Sequence, residues 1–192
     1  MTCCETIYAV KMTNITQPGD FPLTESCSYL DAANVALIPT SAARAVTDWQ
    51  TAVAQTGSIH FDDAAEEKAF DGLRIQAARL FNCKPEDIAG GSSFTELLNS
   101  IAWAVMPKQH ENVVSTDIVF PSTIYPFTRI SHHTGCEIRL AKGHNGYASF
   151  AEIVKNIDNN TAVVSISHAE YTGGQLYDLA AEILGYDLAT LC

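Results

Sequence analysis

The stretch Pro85-Glu-Asp-Ile-Ala-Gly-Gly-Ser-Ser-Phe-Thr-Glu-Leu-Leu-Asn-Ser-Ile-Ala-Trp103 reads as a short strand, a turn and a helix, and its reading decides the fold. Asp87 to Gly91 has the apolar, glycine-ended character of a strand, and a helix is predicted to begin near Glu96. Between them, Ser92-Ser93-Phe94-Thr95-Glu96 combines backbone N–H groups, hydroxyls and a helix N-terminus, which together suit an anionic phosphate. The same residues also suit an ordinary helix start, with Thr95 before Glu96 as the cap and no ligand at all.

Outward from this turn, strand-like runs alternate with helical ones. Strands are predicted at Ile88 to Gly91, Asn112 to Thr116, Glu137 to Ala141 and Ala162 to Ser167. Helices are predicted over about 95–106, 124–134 and 149–157, and from Asp178 onward. This βαβα rhythm predicts an α/β fold with a mainly parallel sheet flanked by helices, right-handed crossovers, and ligands at the carboxyl ends of the strands. Ser92–Thr95, Phe120-Pro121-Ser122 and His168-Ala169-Glu170-Tyr171 all lie at such ends. On the amino-terminal side, a lead-in segment through Leu23 precedes a helical run that Pro39-Thr40-Ser41 introduces, capped by Thr40 or Ser41 and ending near Gln55. One long helix is predicted from Asp62 to Phe81, stopping before the Lys84-Pro85 step, because a residue ahead of proline avoids helical geometry.

Of 192 residues 47% are hydrophobic, enough for a substantial core. Acidic residues outnumber basic ones, 22 to 11, and the net charge of −11 disfavours nucleic acid and anionic membrane surfaces, whose phosphates would be repelled. With no basic-then-apolar leader and no long apolar span, a cytoplasmic location is expected. Cys3, Cys4, Cys27, Cys83, Cys136 and Cys192 contain no CxxC pair and match neither a zinc site nor a compact disulfide framework, so free structural thiols and no metal are expected. His132 and His133 fall late in a predicted helix, where surface positions near the C-terminal dipole suit them. Trp49 and Trp103 sit in helical patterns and are expected to pack in the core. Glu170 and Asp178 are not spaced as an acid/base dyad.

Four segments in order, YLDAANVALIP at 29–39, PEDIAGGSSFTELLNSIAW at 85–103, VVSTDIVFPSTIYPF at 113–127 and TAVVSISHAEYTGGQLYDLAAE at 161–182, resemble the class V aminotransferase superfamily of pyridoxal-phosphate enzymes. That superfamily holds cysteine desulfurases, selenocysteine lyases and isopenicillin-N-epimerase-like proteins, and the resemblance runs from Tyr29 to about Ala181. It implies a truncated large domain of a fold type I pyridoxal-phosphate-dependent transferase, with a lead-in segment and helix over 1–60 and the partial major domain over 61–192. By resemblance, Ser93, Phe94 and Thr95 hold the phosphate of pyridoxal 5'-phosphate, and Ala33 and Asn34 lie on the substrate side. Phe120 stands where the family usually places a histidine against the pyridine ring, and Tyr171 where it places an asparagine on the phenolic oxygen.

A phenyl ring can stack on a pyridine but cannot move protons as imidazole does. A tyrosine hydroxyl can donate as an amide does, though it reaches further. The family's ring-nitrogen carboxylate and Schiff-base lysine are expected beyond Ala181, in an Asp-x-x-Gln strand and a His-Lys loop, neither of which this sequence contains. Lys11, Lys68, Lys84, Lys108, Lys142 and Lys155 stand in other contexts and read as surface amines, so no catalytic residue is assigned. The resemblance therefore implies an amino-acid-transforming enzyme in its complete form, of which this chain is an amino-terminal part inactive alone. A homodimer or a complementing carboxyl-terminal half is the expected partner. The alternative is a non-catalytic pseudo-enzyme fragment or interaction module, whose open sheet edge along Ala162–Ser167 binds a partner.

Overall fold

A computed structural model of the protein describes residues 17, 19–59 and 61–179, together with the backbone of 190–191. The chain divides into two compact units, Met1–Gly90 and Gly91–Cys192.

The second unit is the α/β body. Four strands, β1 (Asn112–Thr116), β2 (Glu137–Ala141), β3 (Thr161–Ser165) and β4 (Thr190–Leu191), pair in the order β2-β1-β3-β4, every pair parallel. All five residues of β1 are buried, as expected of a strand paired on both edges and covered on both faces. Side chains alternate across the pleat. Val113 and Val163 therefore join one core with Leu98, Ala102, Val119, Ile124, Phe127 and Ile130, while Val114 and Val164 join another with Ala141, Ile153, Ile166, Tyr177 and Leu179. The first core is roofed by α4 (Phe94–Val105) and α5 (Pro121–Thr134), and the second by α6 (Phe150–Val154). The step from β1 to β2 runs one way across the sheet and the step from β2 to β3 runs back past β1. Crossovers of one hand must then place α5 and α6 on opposite faces, as they are.

Polar groups buried inside the sheet are satisfied by hydroxyls reaching between elements. Ser115 Oγ donates to the Ser165 carbonyl at 2.6 Å, and Ser165 Oγ donates to the Thr123 carbonyl at 2.9 Å, joining β1, β3 and α5. At the opposite end of the strands Asp158 accepts from Arg139 Nη1 at 2.7 Å, Asn112 Nδ2 at 2.9 Å and the Asn160 amide at 2.9 Å. These donors, Arg139 foremost and then the Asn160 amide, hold its carboxyl down from 3.8 to about 2.

The first unit is helical: α1 (Thr40–Thr56), α2 (Asp63–Lys68) and α3 (Asp71–Phe81), with 3-10 turns at Pro22–Glu25 and Pro85–Asp87. Proline at the boundary starts α1, but Pro39 itself occupies the cap, so Thr40 and Ser41 lie inside the helix rather than capping it. The long helix predicted from Asp62 is broken at Ala69-Phe70. Ala69 N bonds back only three residues to Glu66, and Gly72 just beyond is a weak helix former.

Three further expectations are corrected. Ile88 to Gly91 forms no strand: the stretch ends in two glycines, which weaken a strand, and it pairs with none of the four strands described. The outer edge of β3 is not open, because Thr190 and Leu191 pair with Val164 and Ser165. Trp49 and Trp103 are 56% and 45% exposed, so neither is a core residue; helical spacing shows an apolar face without showing what covers it, and α1 buries no residue. Of the helix expected from Asp178, only Leu179 is helical among the described residues and 180–189 lie outside them. Cys27, Cys83 and Cys136 are free thiols; Cys3, Cys4 and Cys192 lie outside the described residues.

Phe127→Ala, at a fully buried position, is expected to destabilise the second unit by about 3–5 kcal/mol, and Leu30→Ala, 92% exposed, to stay within about 0.5 kcal/mol, as read by urea unfolding. Arg139→Ala is expected to raise the Asp158 midpoint from about 2 toward 3.8 in an NMR titration. Because the folded value is depressed, any stability Asp158 lends is present above 3.8 and lost as pH falls through about 2.

Candidate cofactor site

Each of the three turns singled out in the sequence lies in the second unit. At the first, Ser93 caps α4, its Oγ accepting from the Glu96 amide at 3.2 Å, so Thr95 is not the cap. Glu96 reaches back to accept from Ser92 N at 2.8 Å and Ser92 Oγ at 2.5 Å. Those two bonds, the hydroxyl's first, lower the Glu96 carboxyl below its ordinary value and tie the bend to the helix. Relieved of capping, Thr95 points elsewhere: its Oγ1 donates to Ser122 Oγ at 3.1 Å. The first bond of the helix runs from Leu97 N to the Ser93 carbonyl, so the amides of Phe94 and Thr95 precede the helical ladder.

Ser122 lies in the first turn of α5, behind Pro121 at its first position, where a missing N–H costs nothing. The Thr95–Ser122 bond therefore joins the N-terminal turns of two helices, 27 residues apart in sequence. Both dipoles favour negative charge there. Phe120 caps α5 without a side-chain bond and stands edge-on to Tyr171, with ring centroids 5.1 Å apart and planes at 90°. The rings are 48% and 59% exposed, so both offer surface to a ligand. Thr95, Ser122, Phe120 and Tyr171 thus link in series across the carboxyl ends of β1 and β3, where the chain's direction across the sheet reverses. In open α/β sheets this reversal opens the crevice that takes ligands.

Asp117 anchors the loop after β1, accepting from the Gly143 amide at 2.7 Å and pairing with Lys142 Nζ at 3.2 Å. Its carboxyl lies below the usual value, chiefly through the Gly143 amide. Glu170, in the loop after β3, is 2% exposed, and no well-formed hydrogen bond reaches its carboxylate oxygens, only a weaker contact from the Ser167 amide. Burial raises its carboxyl above the ordinary 4.5, and the Ser167 amide offsets only part of that. Thr116 Oγ1, at the end of β1, is buried without a partner. His168 contributes its carbonyl, which accepts from Tyr177 N at 3.0 Å, while His132 and His133 are exposed on α5 and His133 lies 5.6 Å from the Trp103 ring.

Ala33 and Asn34 belong to the first unit, in an exposed turn where Asn34 bonds Asp31 through its amide and its side chain, both at 3.1 Å. A hollow of about 510 Å³ in that unit, lined by Asp71, Arg74, Ile75, Pro85, Glu86 and Ile88, contains none of the residues assigned to cofactor or substrate. Ser122 was legible as part of a loop but not as Thr95's partner. Asp117 and Gln175 gave no sequence signal, since their partners lie 26 and 27 residues away.

The Aminotransferase class-V family profile matches residues 28–184, and the chain belongs to that family. Among curated relatives it is 22% identical over 161 residues to the uncharacterized aminotransferase YcbU of Bacillus subtilis, covering 84% of this chain and 42% of that protein. A protein of Ureaplasma parvum named "Probable cysteine desulfurase" is 26% identical over 154 residues, covering 77% and 37%. Among solved structures, the cystine C-S lyase C-DES in complex with cysteine persulfide superposes with a TM-score of 0.76 at 23% identity, covering 89% of this chain and 48% of that one. The cysteine desulfurase CsdA of Escherichia coli gives 0.72 at 19%, covering 92% and 49%. The chain thus spans just under half the length of these structures and about two fifths of the curated relatives.

Glu170→Gln removes the ionisable group while keeping its shape. Because the carboxyl is raised, its contribution is fully present below 4.5 and lost as pH rises through the folded value. The variant is expected to flatten the fall in stability that sets in as pH rises past 4.5. Urea unfolding at successive pH values checks this; an unchanged slope would remove Glu170 as the source.

Proposed function

We propose that the second unit forms the phosphate-and-ring side of a pyridoxal 5'-phosphate site in a class V aminotransferase-like enzyme that acts on amino acids in its complete form. The observation supporting this is the chain of contacts from Thr95 through Ser122 to the Phe120–Tyr171 pair, which draws three distant loops to one sheet end. Its donors suit the group's chemistry. The amides of Phe94 and Thr95 and the hydrogen-bonded Thr95–Ser122 hydroxyl pair offer hydrogen bonds to a phosphate at a helix N-terminus, with Ser93 holding the turn in shape. Phe120 supplies a flat apolar face for a pyridine ring, and Tyr171 a hydroxyl for its phenolic oxygen. Ala33 and Asn34 are assigned to the substrate side.

Bound pyridoxal phosphate supplies an electron sink for the carbanion that forms at an amino acid's α-carbon. This chain's residues bind and orient the group. Phe120 cannot carry a proton, so any acid–base step belongs to other residues. The Schiff-base lysine and ring-nitrogen carboxylate are assigned to the part of the relatives that this chain does not span, with residues 61–192 as the partial major domain. A cytoplasmic enzyme assembled as a homodimer, or from complementary halves, follows from this reading. Phe120 and Tyr171, replacing the family's usual residues, favour a second reading as a non-catalytic interaction module.

The test is binding of pyridoxal phosphate followed by its absorbance. Thr95→Ala is expected to weaken it about 10-fold to 100-fold, the range for a lost hydrogen bond to a charged group. A yellow, borohydride-reducible adduct on the complete gene product would support the enzyme. A complete product that stays colourless would leave the interaction module.

A further inference from the structure

The loop that carries Tyr171 is closed on itself. The Glu170 amide donates to the Gln175 carbonyl at 2.8 Å, and the Gly174 amide to the Glu170 carbonyl at 2.9 Å. At the base, Tyr177 N bonds the His168 carbonyl at 3.0 Å, and Ala169 pairs with Leu176 as an antiparallel bridge. Closure fixes the loop's internal shape but not its position, and Tyr171 at the tip is more than half exposed.

Position comes from a second turn. His144 and Tyr147 exchange backbone bonds of 2.7 and 3.1 Å around Asn145 and Gly146, both with positive φ, and the next residue, Ala148, is fully buried. Gln175 docks on Ala148 like an added strand residue: its Oε1 accepts from the Ala148 amide at 2.9 Å, and its Nε2 donates to the Ala148 carbonyl at 2.7 Å. Beside this pair the two backbones approach so closely that a β-carbon on Gly173 would lie 2.2 Å from the Gly146 carbonyl oxygen. Only glycine fits at 173, and only a side chain with one donor and one acceptor at that reach completes the Gln175 pair.

We infer that Gln175 is a positioning residue: by clamping the 168–177 loop to the turn before α6, it holds Tyr171 edge-on to Phe120. The contact it sets is visible without any ligand. The role of that contact in cofactor binding rests on the reading proposed above.

The test uses the full chain and NMR. The parent is expected to show a nuclear Overhauser effect between the Phe120 and Tyr171 rings and slow exchange of the Ala148 amide. In Gln175→Ala and in the near-isosteric Gln175→Leu the ring contact should fall at least threefold, while Val113 and Val163 methyl shifts in the sheet stay in place. Gln175→Glu, which can accept from Ala148 N but cannot donate to its carbonyl when ionised, should fall between. Ring contact undiminished in both Ala and Leu variants would overturn the inference. If those variants fail to fold, the parent decides: an Ala148 amide exchanging as fast as an exposed loop would overturn it, and strong protection supports it. Pyridoxal phosphate affinity is read separately, with a loss of roughly threefold to tenfold expected in Gln175→Ala, about one hydrogen-bond pair. A complete gene product that binds no pyridoxal phosphate, while the variants still lose the ring contact, would defeat the proposed function and leave the clamp standing.

Discussion

Everything in the second unit is organised around β1, a five-residue strand buried along its whole length and hydrogen-bonded to a parallel neighbour on each edge. A strand so placed has no solvent to satisfy its polar groups, so each of them needs an internal partner. Asn112 and Ser115 show how this is met: Asn112 is tied to Asp158 and Thr161, Ser115 to the Ser165 carbonyl. The burial that makes β1 demanding also makes it rigid. Loops leaving β1 and β3 therefore start from fixed points, and residues a few positions beyond them inherit that precision.

The candidate site draws on this rigidity and adds polar clamps of its own. Ser93 takes over capping and leaves the Thr95 hydroxyl able to reach Ser122; Asp117 pins the loop after β1 to Gly143; Gln175 pins the loop after β3 to Ala148. Each clamp uses one side chain to hold backbone from another segment. Among the described residues the Glu170 carboxyl and Thr116 Oγ1 are buried around the site without a close hydrogen bond. Buried polar groups are ordinarily paired, so these two mark places where the packing around the site is incomplete.

The two aromatic rings at this sheet end have a shared consequence. Phe120 and Tyr171 meet edge to face, a favoured aromatic geometry worth about 0.5–1.5 kcal/mol beyond area burial. A histidine and an asparagine in those places would offer proton transfer and a shorter hydrogen-bonding reach. This pair instead stabilises the meeting of the two loops through its own rings. The Phe120 ring carries no group able to hold a proton, under either functional reading.

The residue pattern alone determined the alternation of β1, α5, β2, α6 and β3, with β1 and β2 read to the residue, because local periodicity and proline or glycine punctuation act within a few positions. It also determined family membership, through four ordered motifs that the profile match over 28–184 covers. Only the tertiary structure decided that Ile88–Gly91 stays out of the sheet, that β4 closes the edge of β3, and that Ser93 rather than Thr95 caps α4. It alone brought Thr95 to Ser122 and Gln175 to Ala148. Strand pairing, capping choice and loop clamping depend on which distant groups compete for the same donor or edge, and that competition exists only once the chain has folded.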